Sequence, residues 1–235
     1  VVRDLLRETV AAQQNGDPGT APFEALQHPE QVLSPEQLQW LQPPGVFARC
    51  VSAFVVWLTG LCLRHLFGLT VTGLEHLPEH GPFIVTPNHV SLLDPPVVAT
   101  ALPSHVLSRT YWGGWTGIMF ANRAMRLFSR GARVVPIDPH RGPLSNLAFG
   151  IAALRQGYNL VWFPEGGIAR NGQLQPFRSG IGLILRVIPV PVVPVWIAGT
   201  YEAMPRGQGR VRRHPISITF GPPIDVATLL QRGKG

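Results

Sequence analysis

Residues 83–102 read FIVTPNHVSLLDPPVVATAL, and this stretch indicates the fold class. It begins with a short β-rich run at residues 83–86 and ends with an apolar run of helical length at residues 95–102. Further strands are predicted at 70–73, 106–109, 133–137, 159–163, 192–197 and 216–220, and further helices at 116–130, 144–156, 179–187 and 226–231. This alternation predicts an α/β fold in which helices flank a largely parallel, twisted sheet. Ligands of such sheets bind at the carboxyl ends of the strands.

The chain divides into three predicted regions, residues 1–45, 46–69 and 70–235. Residues 1–45 are predicted to be an N-terminal tail or linker, because NGDPG at 15–19 and PPG at 43–45 interrupt its short helices. Ser34, Pro35 and Gln37 form a helix start with a capping box. Residues 70–235 contain the α/β domain.

Residues 46–69 form the most apolar segment of the chain. The uncharged run between Arg49 and Arg64 spans only about 21 Å as a helix, against roughly 30 Å of hydrocarbon in a bilayer. We therefore expect no full crossing, and two interpretations remain open. The segment is either a helix embedded in one leaflet, with Arg49, Arg64 and His65 reaching the headgroups, or a buried core helix.

Charge is distributed unevenly along the chain. Residues 1–80 carry a net charge of −4 and residues 81–235 a net charge of +11, which sum to the overall +7. A domain this basic attracts anionic lipid headgroups, phosphate-bearing substrates or nucleic acid. No recognition motif accompanies the charge, so nucleic acid is not a predicted partner. The two cysteines, Cys50 and Cys62, provide no disulfide framework, which favours a reducing, cytosol-facing setting.

His89 and Asp94 form the first candidate site. In a regular helix, residues five apart lie about 140° apart and cannot meet. Pro95 and Pro96 push Asp94 out of the helical region toward a cap, while His89 lies on the turn after a strand. Asp94 could then reach one ring nitrogen of His89 and leave the other as a base. The alternative is that Asp94 only caps the helix and His89 is an ordinary loop residue.

Residues 163–167, FPEGG, form the second candidate site. They place the Glu165 carboxylate at the end of a strand, and the backbone N–H groups of Gly166 and Gly167 could stabilise an oxyanion. The alternative is an ordinary turn with a solvated glutamate.

A third candidate is a basic stripe that either binds phosphate or is a solvated helix face. It comprises Arg123, Arg126, Arg130, Arg133, His140 and Arg141.

Some motifs do not occur in the sequence. It has no GxSxG elbow, no Walker loop and no HExxH. His89 therefore has no evident serine partner, which favours direct deprotonation of a substrate hydroxyl over a covalent acyl-enzyme. No cluster has metal-ligand spacing, so no metal is predicted.

Together these blocks resemble the glycerol-phosphate and lysophospholipid acyltransferase family (PlsC-type), from about Leu69 to Ile224. Asn88-His89 with Asp94 is similar to the family's NHxxxxD motif, and residues 163–166 to its FPEG motif. Residues 133–141 lie where its acceptor-binding motif lies. Residues 175–180, QPFRSG, and the proline-containing run 190–195, VPVVPV, follow in the family's order.

The resemblance implies a function and assigns roles to residues. His89 would be the general base held by Asp94, and Glu165 would orient the acceptor or the loop. The acceptor would be a phosphate-bearing lysolipid, with lysophosphatidate as first choice, and acyl-CoA or acyl-carrier protein would be the donor substrate, without any cofactor. The implied substrate-binding residues are Asn88, Arg133, Arg141, Gly166, Gly167, Arg170 and Arg178. Arg170 is included because Gly167-Ile168 replaces the family's usual Thr-Arg.

The resemblance also implies a setting for the protein. The family's membrane-embedded N-terminal helices give residues 46–69 a matching role, so we expect a protein associated with one leaflet of an anionic membrane at its cytoplasmic face. Residues 1–45 are similar to linkers of multidomain proteins in which an acyl-activating module precedes the acyltransferase. Two other functions remain open: a catalytically inactive lipid-binding or scaffolding protein on this fold, which Gly167-Ile168 favours, and a thioesterase-like hydrolase.

Overall fold

A largely parallel sheet forms the centre of the domain. The structure, a computed structural model, describes residues 20–137, 143–205 and 211–226. Its strands are β1 (Thr70–Thr72), β2 (Ile84–Pro87), β3 (Thr110–Trp115), β4 (Val134–Ile137), β5 (Asn159–Val161), β6 (Val192–Ala198) and β7 (Ser217–Phe220). Their order in the sheet is β1-β7-β6-β2-β5-β3-β4, and β6–β7 is the antiparallel pair while the other neighbours are parallel. The predicted fold class is confirmed.

Helices cover both faces of this sheet. They are α1 (Thr20–Gln27), α2 (Pro29–Val32), α3 (Pro35–Trp40), α4 (Val46–Phe67), α5 (Asp94–Ala101), α6 (Ser104–Leu107), α7 (Thr116–Met119), α8 (Arg123–Gly131), α9 (Pro143–Arg155), α10 (Gly180–Val187) and α11 (Thr200–Ala203). Successive residues of a strand point to opposite faces, so Ile84 joins the apolar cluster under α9 and α10 while Val85 joins the cluster under α4 and α5. Burial on both faces explains the continuous apolar runs of the strands.

Strand β3 begins four residues later than the sequence predicts. Residues 106–109 do not form a strand, because Val106 lies in α6 and the strand starts at Thr110. Tyr111 and Trp112 are the residues that pack into the two opposite core clusters. Gly114 is required inside the strand, since a Cβ there would lie 2.4 Å from the side chain of Val134.

The N-terminal segment packs on the domain over its described part. Leu26, Leu33 and Leu41 are buried in the cluster around α9. The hydroxyl of Tyr111 donates to the carbonyl of Trp40 at 3.0 Å, and burial raises the pKa of this phenol against the opposing effect of the nearby Arg133. Residues 20–41 therefore pack against the α/β domain, within the region 1–45 that is predicted to be a tail or linker. The predicted capping box at Ser34 is present.

Helix α4 is not a core helix. It is the one helix of the described residues that is long and apolar enough to span a membrane, and only 22% of its most apolar stretch is buried. A narrow stripe that includes Ser52, Gly60 and Leu63 packs against α5 and α8. The exposed large apolar side chains of the helix, termed here the apolar face of α4, are Val46, Phe47, Phe54, Val55, Trp57, Leu58, Leu61 and Leu66. This exposure favours the membrane interpretation of residues 46–69 over the buried one.

Candidate active site

The two sequence candidates meet at one edge of the sheet. Strands β2, β5 and β6 are parallel neighbours and end at the same edge, termed here the carboxyl edge. His89 follows the end of β2, and Glu165 follows the end of β5. Because adjacent parallel strands deliver their next residues to the same place, the two loops lie in contact. The backbone N–H of His89 donates to Glu165 Oε1 at 2.6 Å.

Asp94 holds the imidazole of His89. Its Oδ2 lies 3.0 Å from His89 Nδ1 and also accepts the backbone N–H groups of Val90 and Ser91, each at 2.7 Å. Asp94 is completely buried. A carboxylate can only accept hydrogen bonds, so Nδ1 must carry the proton in this contact. In a neutral ring, Nε2 then has the lone pair and can take up a proton.

The backbone explains how residues five apart can meet. Asp94 is the first residue of α5 and not its cap, since the cap position is Leu93 and has no side-chain hydrogen bond. The Asp94 side chain instead points back into the loop and collects the N–H groups that precede the helix. His89 therefore meets Asp94 from the turn that precedes α5, and not from a face of the same helix. This is the arrangement that the two prolines after Asp94 indicated.

Phe163 shields the histidine ring. The two rings are stacked with centroids 4.1 Å apart. The His89 side chain keeps 13% of its surface exposed, whereas Asp94 has none. Within the described residues, no hydrogen bond engages Nε2. The ring is therefore fixed on one side and accessible on the other, which suits proton transfer with a bound molecule.

Glu165 ties two loops together. It is 5% exposed, and its second oxygen, Oε2, accepts the backbone N–H of Gln175 at 2.8 Å. Each oxygen of Glu165 thus accepts a backbone hydrogen bond, Oε1 from His89 and Oε2 from Gln175. Of the two roles that the resemblance gave Glu165, these contacts favour orientation of the loop over contact with an acceptor.

A glutamine at residue 165 is expected to destabilise the protein. Glutamine has one acceptor oxygen, so the N–H of His89 or Gln175 would face an NH₂ group. We expect Glu165→Gln to lower the free energy of unfolding in urea by about 1.5–3 kcal/mol. Glu79→Gln, at an exposed glutamate, is the matched control and should stay within about 0.5 kcal/mol of the wild type. Equal stability of the two variants would contradict this role for Glu165.

An open pocket of about 540 Å³ adjoins this loop. Glu165, Gly167, Arg170 and Arg178 line it, together with the segment between them. The pocket adjoins His89 through a backbone hydrogen bond of 2.8 Å from the N–H of Ala169 to the carbonyl of His89. The structure therefore brings four predicted site residues together beside the histidine, in a pocket with two guanidinium groups.

Gly166 shapes the floor of this loop. Its φ is +70°, and a Cβ there would lie 2.6 Å from Cδ of Arg178. Arg178 in turn donates from its backbone N–H to Pro164 and from Nε to the carbonyl of Glu165. Gly166 is thus required for loop geometry, whereas nothing lies within 4 Å of a Cβ at Gly167, whose surroundings stay open.

Comparison with known proteins identifies the family. Residues 68–198, more than half of the chain, match the family model described as acyltransferase. The chain belongs to this family. Among its relatives, the 1-acyl-sn-glycerol-3-phosphate acyltransferase of Limnanthes douglasii is 25% identical over 203 residues, which are 83% of this chain and 66% of that protein. The human 1-acyl-sn-glycerol-3-phosphate acyltransferase alpha is 30% identical over 190 residues, which are 73% of this chain and 64% of that protein.

The chain therefore spans somewhat less than two thirds of the length of these relatives. Among solved structures, the crystal structure of the 1-acyl-sn-glycerophosphate (LPA) acyltransferase PlsC from Thermotoga maritima matches with a TM-score of 0.63 and 22% identity. The match covers 78% of this chain and 76% of that one, and it shows a shared fold. The PlsC-type resemblance that the motifs indicated is confirmed.

Three predicted acyltransferase site residues lie elsewhere or are not described. Arg133 precedes β4 and so lies at the opposite, amino edge of the sheet. There it donates to the carbonyl of Ser108 and the hydroxyl of Tyr111, with φ at +56°. Asn88 is buried, and its side-chain amide exchanges two hydrogen bonds with the backbone of Ile197, so it joins β2 to β6 instead of facing a substrate. Arg141 lies outside the described residues.

Thr200 is a further residue of this site, and no sequence motif pointed to it. Its hydroxyl donates to Asp94 Oδ1 at 2.6 Å, and the residue is completely buried. One signal was available, because Thr200 follows β6 at its carboxyl end, where functional side chains of α/β sheets collect. A lone threonine after a glycine is too common to be singled out without the geometry.

Proposed function

We propose that this chain transfers a fatty acyl group from a thioester donor to the free hydroxyl of a phosphate-bearing lysolipid, with lysophosphatidate as the preferred acceptor. The relatives named above act, by their names, on 1-acyl-sn-glycerol-3-phosphate. The observation that carries the proposal is the His89–Asp94 pair, in which the carboxylate fixes the proton on Nδ1 and leaves Nε2 as the base. The donor is acyl-CoA or an acyl-carrier protein, and no cofactor is required.

The reaction needs one base and no covalent enzyme intermediate. Nε2 of His89 removes the proton of the acceptor hydroxyl as its oxygen attacks the thioester carbonyl. The C–S bond of the tetrahedral intermediate then breaks, and the imidazolium returns its proton to the departing sulfur as a thiol. Asp94 stays ionised and stabilises the imidazolium in between. The backbone N–H of Gly167, in open surroundings beside the pocket, is available to a developing oxyanion.

The pocket beside Glu165 suits the phosphate of the acceptor. Arg170 is exposed on its wall, and Arg178 uses Nε for the carbonyl of Glu165 while its guanidinium contributes charge. Guanidinium groups bind phosphate with paired, charge-assisted hydrogen bonds. Arg170 thus supplies the charge that the family's usual arginine after FPEG would supply, at a position two residues further along the chain.

A transfer assay tests this function. The chain is incubated with labelled acyl-CoA and a panel of lysolipids that differ in headgroup, beside His89→Ala as an inactive blank. Labelled diacyl product from lysophosphatidate, absent in the blank, is the expected result. Free labelled fatty acid as the sole product would indicate a hydrolase. No turnover with any lysolipid or donor, together with retained vesicle binding, would indicate a lipid-binding scaffold and contradict the proposal.

The proposal includes a membrane surface next to the active site. Strand β1 runs antiparallel to β2, so the C-terminal end of α4, which leads into β1, lies at the carboxyl edge. Three strand spacings separate β1 from β2, or roughly 14 Å at about 4.8 Å per strand. Arg64 and His65 are exposed at this end, and Arg213 donates to the carbonyl of Leu66. The apolar face of α4 thus ends in positive charge near His89, as an anionic bilayer would require.

Aspartate on the apolar face of α4 is expected to weaken vesicle binding. Trp57 is 61% exposed, and burying an aromatic side chain in lipid contributes about 1.5–3 kcal/mol. We expect Trp57→Asp to lower the partition coefficient at least tenfold in co-sedimentation with phosphatidylcholine–phosphatidylglycerol vesicles. Leu38→Asp, at an exposed apolar residue of α3, is the control and should bind as the wild type does. Unchanged binding of Trp57→Asp would contradict the membrane role of α4.

The location of the protein at the cytoplasmic face of the membrane stays a prediction, which depends on the two free cysteines.

A further inference from the structure

We infer that Thr200 is a positioning residue of the proposed acyl transfer, acting through Asp94 on the orientation of His89. Its hydroxyl lies 2.6 Å from Asp94 Oδ1, a distance typical of a hydroxyl that donates to an ionised carboxylate. No acyltransferase motif found in the sequence includes Thr200, which is the first residue of α11, after the proline-containing strand β6. The inference rests on the proposed function for its kinetic readout, and its structural readout is independent of that function.

The two oxygens of Asp94 have different tasks. Oδ2 accepts from His89 and from the backbone of Val90 and Ser91. Oδ1 accepts from Thr200. Because Asp94, Val90, Ser91 and Thr200 are buried, rotation of the carboxylate would break hydrogen bonds on both oxygens without replacement by water. The Thr200 hydroxyl therefore determines which carboxylate oxygen of Asp94 faces the imidazole, and it fixes the plane of the carboxylate relative to the ring.

The backbone around Thr200 is built to deliver this hydroxyl. Gly199 has φ at +86°, and a Cβ there would lie 2.0 Å from the carbonyl oxygen of Pro215, so the turn from β6 into α11 requires glycine at this position. The other end of α11 is held by the Ser91 hydroxyl, which donates to the carbonyl of Met204 at 2.9 Å. The turn is thus fixed against the histidine loop at both ends.

Three contacts join β6 and α11 to the histidine loop at successive points. Asn88 bonds the backbone of Ile197, Ser91 bonds Met204, and Asp94 bonds Thr200. The first two involve backbone groups on the β6–α11 side and hold the loop in place. The third is the contact that reaches the carboxylate, so it is the one expected to act on proton transfer.

Thr200→Val removes the hydroxyl and keeps the shape of the side chain. We expect kcat to fall about 10- to 100-fold, as for loss of one hydrogen bond to a charged group. KM for both substrates should stay within about twofold, because Thr200 is buried behind Asp94 and does not line the pocket. Thr200→Ser keeps the hydroxyl and should recover most of the lost kcat.

Thr110→Val is the matched control. Thr110 is also completely buried and also donates its hydroxyl, at 2.7 Å to the carbonyl of Val106, but it lies at the amino end of β3. We expect a similar loss of thermal stability in both valine variants and a loss of kcat in Thr200→Val alone. Equal kcat losses in both, or a Thr200→Val kcat within twofold of the wild type, would overturn the inference.

The second readout does not depend on turnover. In the chain labelled with ¹⁵N-histidine, the Nδ1–H proton of His89 should give a downfield NMR signal from its bond to Asp94, identified by its loss in His89→Ala. This signal should shift upfield or broaden in Thr200→Val and be unchanged in Thr110→Val. If Thr200→Val does not fold, Thr200→Ala removes the same hydroxyl. An unperturbed His89 signal in the folded variant would overturn the inference, whether or not the wild type transfers acyl groups.

Discussion

Replacement of His89 by alanine is expected to reduce kcat for acyl transfer by about 10²- to 10⁴-fold, the usual contribution of a general base. The variant should fold, because the backbone N–H of residue 89 still donates to Glu165 and the lost side chain is partly exposed. KM for lysophosphatidate should change little, since the pocket proposed to bind its phosphate is formed by the loop after β5. Initial rates with labelled acyl-CoA at saturating acceptor give both constants.

His105→Ala is the control for this variant. His105 is an exposed histidine on α6, which leads into the amino end of β3 and so lies at the edge opposite to the site. It should retain wild-type kcat. Added imidazole should restore part of the activity of His89→Ala, because the deleted ring leaves a space against Phe163. A kcat for His89→Ala within tenfold of the wild type would exclude His89 as the base.

The fold was predictable from the sequence because it depends on patterns with a simple physical basis. Apolar runs that alternate with helical segments require a sheet covered on both faces, and the observed clusters on either side of β2 follow from that pattern. The error at β3 has an equally simple origin. Residues 106–109 have the composition of a strand, whereas the true strand contains Gly113 and Gly114, which local propensity assigns to a turn. Packing of Tyr111 and Trp112 overrides that preference.

The site was predictable where one loop or one strand end determined it. His89, Asp94 and Glu165 follow the ends of neighbouring parallel strands, and the structure brings them into contact. Arg133 shows the limit of this reasoning. Arg133 lies in the region of the sequence that resembles the acceptor-binding motif. The residues of the site follow their strands, whereas Arg133 precedes β4. Because β4 is parallel to β3, Arg133 therefore lies at the opposite, amino edge of the sheet. The role of Thr200 could not be predicted, because its contact with Asp94 joins residues 106 positions apart in the chain and no local sequence pattern indicates it.

Asp94→Asn is expected to abolish most transfer while leaving the fold nearly intact. The amide oxygen can take the place of Oδ2 and accept from Val90, Ser91 and His89, while the NH₂ group faces the Thr200 hydroxyl, which can rotate to accept. The hydrogen bonds are thus conserved, and the charge that stabilises the imidazolium is lost. We expect kcat to fall about 10²- to 10⁴-fold.

Comparison with Asp94→Ala separates the effect of losing the charge of Asp94 from the effect of losing its hydrogen bonds. It would leave the N–H groups of Val90 and Ser91 and the hydroxyl of Thr200 buried without an acceptor, so we expect the free energy of unfolding to fall by about 3–5 kcal/mol. Urea unfolding and steady-state rates on both variants should therefore show two inactive proteins, of which only the alanine variant is unstable. If Asp94→Asn were stable and kept its kcat, the carboxylate would serve the loop alone, and His89 would act without a charged partner.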